Sequence, residues 1–185
     1  MNDKSRENFL KNLKTYGIEN DIPNVSEIWA KFLRDLIKLK WAKRCLEIGT
    51  ASGYSTINMA IELEKIWGKI TTIDFSEKSF LDAKKNIEDT GFNETITQVF
   101  WNALTEVPKL TGEFDFVFID GMKRRTKDFL ELCYPKVSTW GLIIIDDVIL
   151  FRDKMVWLYE FLENNNIDYN IIPVDVNDGV AMILK

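Results

Sequence analysis

Histidine is absent from the 185 residues, which removes Ser-His-Asp and Cys-His catalysis and every imidazole-ligated metal site. Proton transfer is left to Lys, Asp, Glu, Tyr or a bound water. Cysteine is scarce. Cys45 and Cys133 each lie inside an apolar stretch, which argues against a disulfide framework and for a reducing cytoplasm. With no electropositive neighbour in sequence, both read as small buried hydrophobes and not as nucleophiles. No Gly/Ser/Pro linker, repeat or low-complexity tract divides the chain, so one domain over residues 1–185 is expected. No apolar run approaches the ~18 residues of a membrane-spanning helix. The mixed-charge start, Met1-Asn2-Asp3-Lys4-Ser5-Arg6-Glu7, has no apolar export stretch behind it. A cytoplasmic protein with no membrane partner is expected. The net charge of −5 opposes sequence-blind nucleic-acid binding. What remains is an apolar content of 46%, ample for a core, and no disorder signature.

The first forty residues carry a helical period. Phe9, Leu10 and Leu13 form a stripe ending at Gly17. A stronger one comprises Val25, Ile28, Trp29, Phe32, Leu33, Leu36 and Ile37, with Asn24 and Glu27 as its N-cap and capping partner. Trp29 and Phe32 read as core residues or as a lid. From residue 43 the period changes. Strands are expected at Arg44–Ile48, Lys69–Ile73, Thr95–Phe100, Phe114–Ile119 and Gly141–Ile145. Helices are expected between and after them at Gly53–Lys65, Glu77–Thr90, Lys123–Tyr134 and Asp153–Asn164. Runs such as Phe116-Val117-Phe118-Ile119 are apolar on both faces, as central parallel strands covered by helices should be. Tyr169–Val174 and Gly179–Leu184, joined by a short loop at 175–178, read as a closing hairpin. The expectation is a Rossmann-like, doubly wound α/β sheet of seven mostly parallel strands. Its C-terminal strand is antiparallel, helices cover both faces, and N-terminal helices (1–40) precede the core (43–185).

Acids end the strands: Glu47, Asp74, Asp120, Asp146 and Asp147. In open α/β sheets the ligand crevice lies beyond the carboxyl ends of the strands. Carboxylates gathered there repel one another unless a cation or hydrogen-bond donors offset them. Each could instead cap the following helix, a role that Asp74 or Ser76 suits better than Asp146-Asp147. The first strand-to-helix turn, Glu47-Ile48-Gly49-Thr50-Ala51-Ser52-Gly53, has two glycines that let the backbone pass close to a ligand. It lacks the third glycine of a dinucleotide fingerprint, which disfavours a nicotinamide-dependent oxidoreductase. Asp74 lies about twenty residues beyond Gly53, where a ribose diol would be gripped.

These residues resemble a known family. Leu46 to Thr56 is similar to the first motif of class I S-adenosylmethionine-dependent methyltransferases of the cation-dependent O-methyltransferase type, which includes the catechol and caffeoyl-CoA enzymes. The resemblance continues through Ile73-Asp74, Phe114–Asp120 and Gly141–Asp147, and covers roughly residues 22–185 in order. It implies that Glu47 and Gly49 lie by the methionine part of S-adenosylmethionine, that Thr50 is a further cofactor-binding residue, and that Gly53, Tyr54 and Ser55 line its amino-acid tail. Asp74, with Phe75 beside it, would bind the ribose, and Asn102 and Ala103 would meet the adenine. It implies Asp120, Asp146 and Asp147 as ligands of Mg2+ or another divalent cation, hard oxygen donors suited to a hard ion. Asp147 stands where the family usually has Asn. Asp120 also borders the cofactor, and Lys123 would take the acceptor's hydroxyl proton, its pKa lowered by the cation and by Arg124 and Arg125. Without that context, Lys123–Lys127 is a solvated helix start.

The implied activity is methyl transfer to a hydroxyl of a small catechol-like or conjugated acceptor. Val148–Asp153 is shorter than the family's usual insertion, which predicts an open acceptor pocket and leaves a homodimer undecided. Some bacterial relatives of this type methylate a hydroxyuridine in tRNA, an alternative that the Lys123–Lys127 patch permits. A third reading is a cofactor-binding protein without turnover.

Overall fold

The computed structural model describes residues 1–176 and 178–185. Its sheet has seven strands: β1 (Arg44–Ile48), β2 (Lys69–Asp74), β3 (Ile96–Phe100), β4 (Phe114–Ile119), β5 (Val137–Ile145), β6 (Asn170–Pro173) and β7 (Gly179–Leu184). Their order across the sheet is β3-β2-β1-β4-β5-β7-β6. The chain winds outward from β1 through β2 to β3, then crosses back to β4 and β5, so the order reverses between β1 and β4. Neighbours from β3 to β5 pair in parallel, whereas β7 runs antiparallel to both β5 and β6. The closing hairpin is present, with Pro173 opposite Gly179, although Asn177 of its loop lies outside the described residues. The reversed strand lies one place in from the edge, and β6 is the edge.

Period-2 alternation assigns the two faces. Cys45, Phe116, Phe118, Leu142 and Ile144 point into one core, shared with α1 (Asp3–Glu19), α2 (Glu27–Lys40), α3 (Tyr54–Lys65) and α4 (Glu77–Thr90). Leu46, Val117, Ile119, Ile143 and Ile145 point into the other, beneath α5 (Ala103–Glu106), α6 (Thr126–Cys133) and α7 (Val156–Asn164). Both cysteines are buried and free. No described helix is long and apolar enough to cross a membrane.

Several local expectations change, among them the start of α7, which lies at Val156 and not Asp153 because a separate 3-10 turn, Arg152–Lys154, precedes it. The N-cap of α2 is Ser26, not Asn24: Ser26 has extended backbone and its Oγ accepts from Trp29 N at 3.1 Å, which leaves Asn24 free to turn inward. The stretch after β4 begins as a single 3-10 turn, Lys123–Arg125, before α6. Clustered basic charge at a helix start is unfavourable to the dipole, and the tighter turn delays the α-helix until Thr126. Strand β5 starts at Val137, earlier than expected, and the pairing register with β4 shifts between Phe114 and Phe116.

Helices and loops end at the rim where the parallel strands begin, and free carbonyls gather there. Basic side chains answer them. Lys43 Nζ donates to Ile66 O, Arg44 to Thr111 O and Lys69 to Glu94 O, while Lys136 reaches Leu110 O at 2.7 Å and Lys185 reaches Val137 O at 2.8 Å. At the same rim Trp41 (φ 54°), Trp67 (φ 58°) and Trp140 (φ 64°) adopt left-handed backbone. For an L side chain this costs about 1 kcal/mol each relative to a residue without Cβ.

Candidate active site

A cavity of about 970 Å3 opens beyond the carboxyl ends of β1, β2, β4 and β5, above the point where the strand order reverses. Its floor begins with the turn after β1. Gly49 has φ 101°, and a Cβ there would overlap the Asp120 carbonyl oxygen, so the turn can lie flat against the end of β4 only with glycine. Asp74, at the end of β2, holds the turn from the side: its Oδ2 accepts from Thr50 N at 3.0 Å and Ala51 N at 2.9 Å, and its Oδ1 from Ser76 N at 2.8 Å. The cap of α4 is therefore Ser76, whose Oγ accepts from Ser79 N, and Asp74 is committed to the cavity wall.

The segment between α1 and α2 forms the opposite wall. Asn24 Oδ1 accepts from Ser52 Oγ at 2.7 Å, tying this segment to the glycine turn. Its Nδ2 is buried and, among the described residues, is the side-chain polar atom left without a partner. Trp101, Asn102, Ala103 and Leu104 close the end of the cavity beside Phe75.

Three carboxylates meet between β4 and β5. One oxygen from each of Asp120, Asp146 and Asp147 lies within 4.8 Å of the others. Asp146 is fixed from the helical layer: Trp29 Nε1 donates to its Oδ2 at 2.9 Å and Asp147 N to its Oδ1 at 2.9 Å. Burial raises the Asp146 carboxyl well above its ordinary value, and the charges of Asp120 and Asp147 add to that. Burial also raises Asp120. Asp147 is pushed up to about 6 by burial and by its hydrogen bond with Asp178. Asp178, from the β6–β7 hairpin, also accepts from Ile149 N and Leu150 N, and so anchors the loop after β5. A protonated Asp147 would present Asp178 with the donor hydrogen that an asparagine amide supplies. Lys123 reaches into this group, its Nζ 2.6 Å from Asp120 Oδ1 and also paired with Asp147. Burial works against its charge, but the two carboxylates outweigh it and its pKa is raised. The lowered value expected from the sequence belongs to a site in which a cation engages Asp120 and Asp147. Arg125 pairs with Asp128 instead.

Of the residues singled out in the sequence, Gly49, Thr50, Ser55, Asp74, Phe75, Asn102, Ala103, Asp120, Lys123, Asp146 and Asp147 all line this one cavity. Glu47, Gly53 and Tyr54 stand behind it. Gly53 caps α3 with φ 82°, and Tyr54 is buried with Lys14 Nζ 5.7 Å from its ring centre. Glu47 is wholly buried under α3 and accepts from Ser55 Oγ at 2.6 Å, Thr72 Oγ1 at 2.6 Å and Thr56 Oγ1. Its carboxylate braces the turn from beneath. The sequence marked Asn24 only as a helix cap, Trp29 only as core or lid, and Asp178 not at all, because each acts at the site through a partner more than twenty residues away.

Burial pushes the Glu47 carboxyl up from 4.5 to about 7, even though three hydroxyls oppose the shift. Between these values the folded chain keeps a proton that the unfolded chain has released. This contribution to stability is fully present below pH 4.5, falls as pH rises and is gone above about 7. Glu47→Gln lacks the titration. Relative to the parent, it is expected to gain up to about 3 kcal/mol between pH 4.5 and pH 8. Urea unfolding of both proteins at several pH values measures this, and parallel stability curves would contradict the assignment.

A sequence model of the O-methyltransferase family matches residues 2–182. The chain is 35% identical over 137 residues to the catechol O-methyltransferase of Niastella koreensis, covering 72% of this chain and 61% of that protein. It is 29% identical over 178 residues to the caffeoyl-CoA O-methyltransferase of Populus kitakamiensis, covering 82% and 74%. The alignment to the first of these relatives thus spans less than two thirds of its length. The fold matches the O-methyltransferase from Bacillus cereus in complex with S-adenosylhomocysteine, with a TM-score of 0.85 and 24% identity over 96% of this chain and 91% of that one.

Proposed function

Since the chain belongs to the O-methyltransferase family, we propose that it transfers the methyl group of S-adenosylmethionine to a hydroxyl of a small catechol-like or conjugated acceptor, assisted by a divalent cation. The observation that carries this reading is the meeting of two half-sites in one cavity. The Gly49 turn with Asp74 forms one, and the Asp120, Asp146 and Asp147 group forms the other.

The residues fit both ligands. The donor set is three carboxylates with no sulfur or imidazole, which matches magnesium or manganese. The Lys123 ammonium paired with Asp120 and Asp147 supports a site that attracts positive charge. A bound cation supplies Lewis acidity toward acceptor oxygens. The cofactor supplies the methyl group. Everything else falls to the chain. Asp74 lines the cavity and would accept from the ribose diol, while the Gly49 turn would lie under the amino-acid part. Asn102 and Ala103 flank the adenine beside Trp101. Trp29 is a positioning residue that fixes Asp146. Lys123 Nζ receives the acceptor's hydroxyl proton, which requires that Asp120 and Asp147 be engaged as ligands and no longer hold its charge. With the cofactor bound, the walls would hold an acceptor oxygen in line with the methyl carbon, so orientation would supply much of the acceleration.

The test has two parts. S-adenosylhomocysteine is expected to raise the melting temperature and NAD to leave it unchanged, since a ligand specific to the folded state must stabilise it. Release of S-adenosylhomocysteine is then followed with magnesium or with chelator, using catechols, acyl-CoA phenols, and unmodified or hydroxylated tRNA. Magnesium-dependent turnover of a small diol is the expected result. Turnover of tRNA alone would reassign the acceptor. Cofactor binding with no turnover on any acceptor would make the protein a binding module.

A further inference from the structure

The cationic side chains that line the cavity are Lys78, Lys123, Arg125 and Lys154. All but the last are matched by carboxylates. Lys78 Nζ lies 3.0 Å from Asp82 Oδ2, Lys123 pairs with Asp120 and Asp147, and an Arg125 guanidinium nitrogen lies 2.8 Å from Asp128 Oδ2. Among the described residues, Lys154 Nζ has no carboxylate within ion-pair distance. It folds instead over the Phe151 ring, 4.4 Å from the ring centre. The negative face of the ring attracts the ammonium, which keeps this unmatched charge at the cavity wall.

The segment that carries Lys154 is tied to the carboxylate group. Asp178 Oδ1 accepts from Ile149 N at 3.2 Å and Leu150 N at 3.1 Å. Phe151 N donates to Asp147 O at 3.0 Å, and Lys154 N donates to Phe151 O at 2.8 Å. Phe151 itself packs against the core beneath α6 and α7. Its position in the sheet puts Lys154 on the acceptor side. It follows β5, whereas the Gly49 turn and Asp74 follow β1 and β2, with β4 in between. The carboxylate of the cofactor's amino-acid part, assigned above to the Gly49 turn, therefore belongs to the other half-site. Met122 and Phe151 also line the cavity and offer apolar surface to an aromatic ring.

A diol held at Asp120, Asp146 and Asp147 directs the rest of the acceptor along this wall. Charge complementarity acts mainly on which partner is accepted, and here the unsatisfied charge is positive. A nucleic-acid strand would call for several unmatched cations along its path, and the described cavity lining supplies one. Resting on the reading of the protein as an O-methyltransferase of small diols, we propose that Lys154 is a specificity-determining residue. It selects acceptors that carry an anionic group, a carboxylate or a phosphate, remote from the diol.

The test compares matched acceptors by magnesium-dependent release of S-adenosylhomocysteine. Protocatechuate is set against its methyl ester, and dihydroxybenzyl phosphate against dihydroxybenzyl alcohol. In at least one pair the anionic diol is expected to exceed its neutral partner by about fivefold in kcat/KM, with the difference in KM. The pair that responds identifies the anion. Added salt should narrow the ratio. Lys154→Gln should bring the ratio to about one, Lys154→Arg should preserve it, and Lys154→Glu should invert it. Melting temperatures with and without S-adenosylhomocysteine check that each variant folds and binds the cofactor. Turnover of neutral and anionic diols alike, or a preference that Lys154→Gln leaves intact, overturns the proposal while the methyltransferase reading stands. Absence of turnover with every acceptor overturns that reading instead. Calorimetric titration of the same diols into protein holding magnesium and S-adenosylhomocysteine then decides the inference by the same ratio and variants. Turnover of tRNA with no binding of either anionic diol would assign Lys154 to RNA phosphate and overturn the proposal too.

Discussion

Asp120→Ala is expected to lower cation-dependent methyl transfer by roughly 10³-fold while leaving affinity for S-adenosylhomocysteine within roughly threefold. The side chain and the backbone of this residue serve different half-sites. Its carboxylate belongs to the group with Asp146 and Asp147 and pairs with Lys123 at 2.6 Å. Its backbone N donates to Ile48 O at 2.8 Å, and its carbonyl is the surface on which Gly49 rests. Alanine removes the first set and keeps the second. Titration calorimetry with S-adenosylhomocysteine, beside a turnover assay at saturating magnesium, separates the two effects. Asp120→Asn, which keeps the volume and loses the charge, should fall between parent and alanine in turnover. Equal loss of binding and turnover would make Asp120 a cofactor or structural residue instead.

Gly49→Ala should weaken cofactor binding by about 100-fold and destabilise the fold by about 2–4 kcal/mol. Two causes act together. The residue sits at φ 101°, and the added methyl would lie 2.8 Å from the Asp120 carbonyl carbon and 3.1 Å from Gly121 N, besides overlapping the carbonyl oxygen. Backbone, not a flexible side chain, would have to move, and that backbone carries both the cofactor turn and the first carboxylate of the cation group. Gly53 supplies the contrast. It also has positive φ, 82°, but its nearest neighbour would be Ala83 Cβ at 3.4 Å, an ordinary contact, so Gly53→Ala should cost only about 1 kcal/mol. Denaturant unfolding of both variants, with calorimetry for the ligand, checks the difference. Equal effects at the two glycines would show that close approach to Asp120 does not govern the turn.

The layered α/β architecture was legible because the hydrophobic period changes at residue 43 and acids punctuate the ends of apolar runs. Phe114–Ile119 and the Gly179–Leu184 strand were bounded to the residue. The start of β5 was missed. Val137 to Trp140 carries polar residues and a left-handed tryptophan, which the apolar pattern cannot register as strand. The α2 cap was misplaced by two residues because Asn24 and Ser26 are both good caps, and local sequence cannot tell which one a tertiary contact will claim.

Sequence alone determined which strand ends border the cavity, since in a doubly wound sheet the carboxyl ends of the strands lie at the crevice. Asp74, Asp120 and Asp146-Asp147 follow from that rule without coordinates. Only the tertiary structure decided what each acid does. Glu47 shares the strand-end pattern yet faces the layer beneath α3, Asp178 arrives from a distant hairpin to engage Asp147, and Trp29 crosses from α2 to fix Asp146. Backbone periodicity is local and survives in the linear order of residues. The charge state of a buried carboxylate depends on burial and on partners brought together by folding, and the order of residues does not encode these one position at a time.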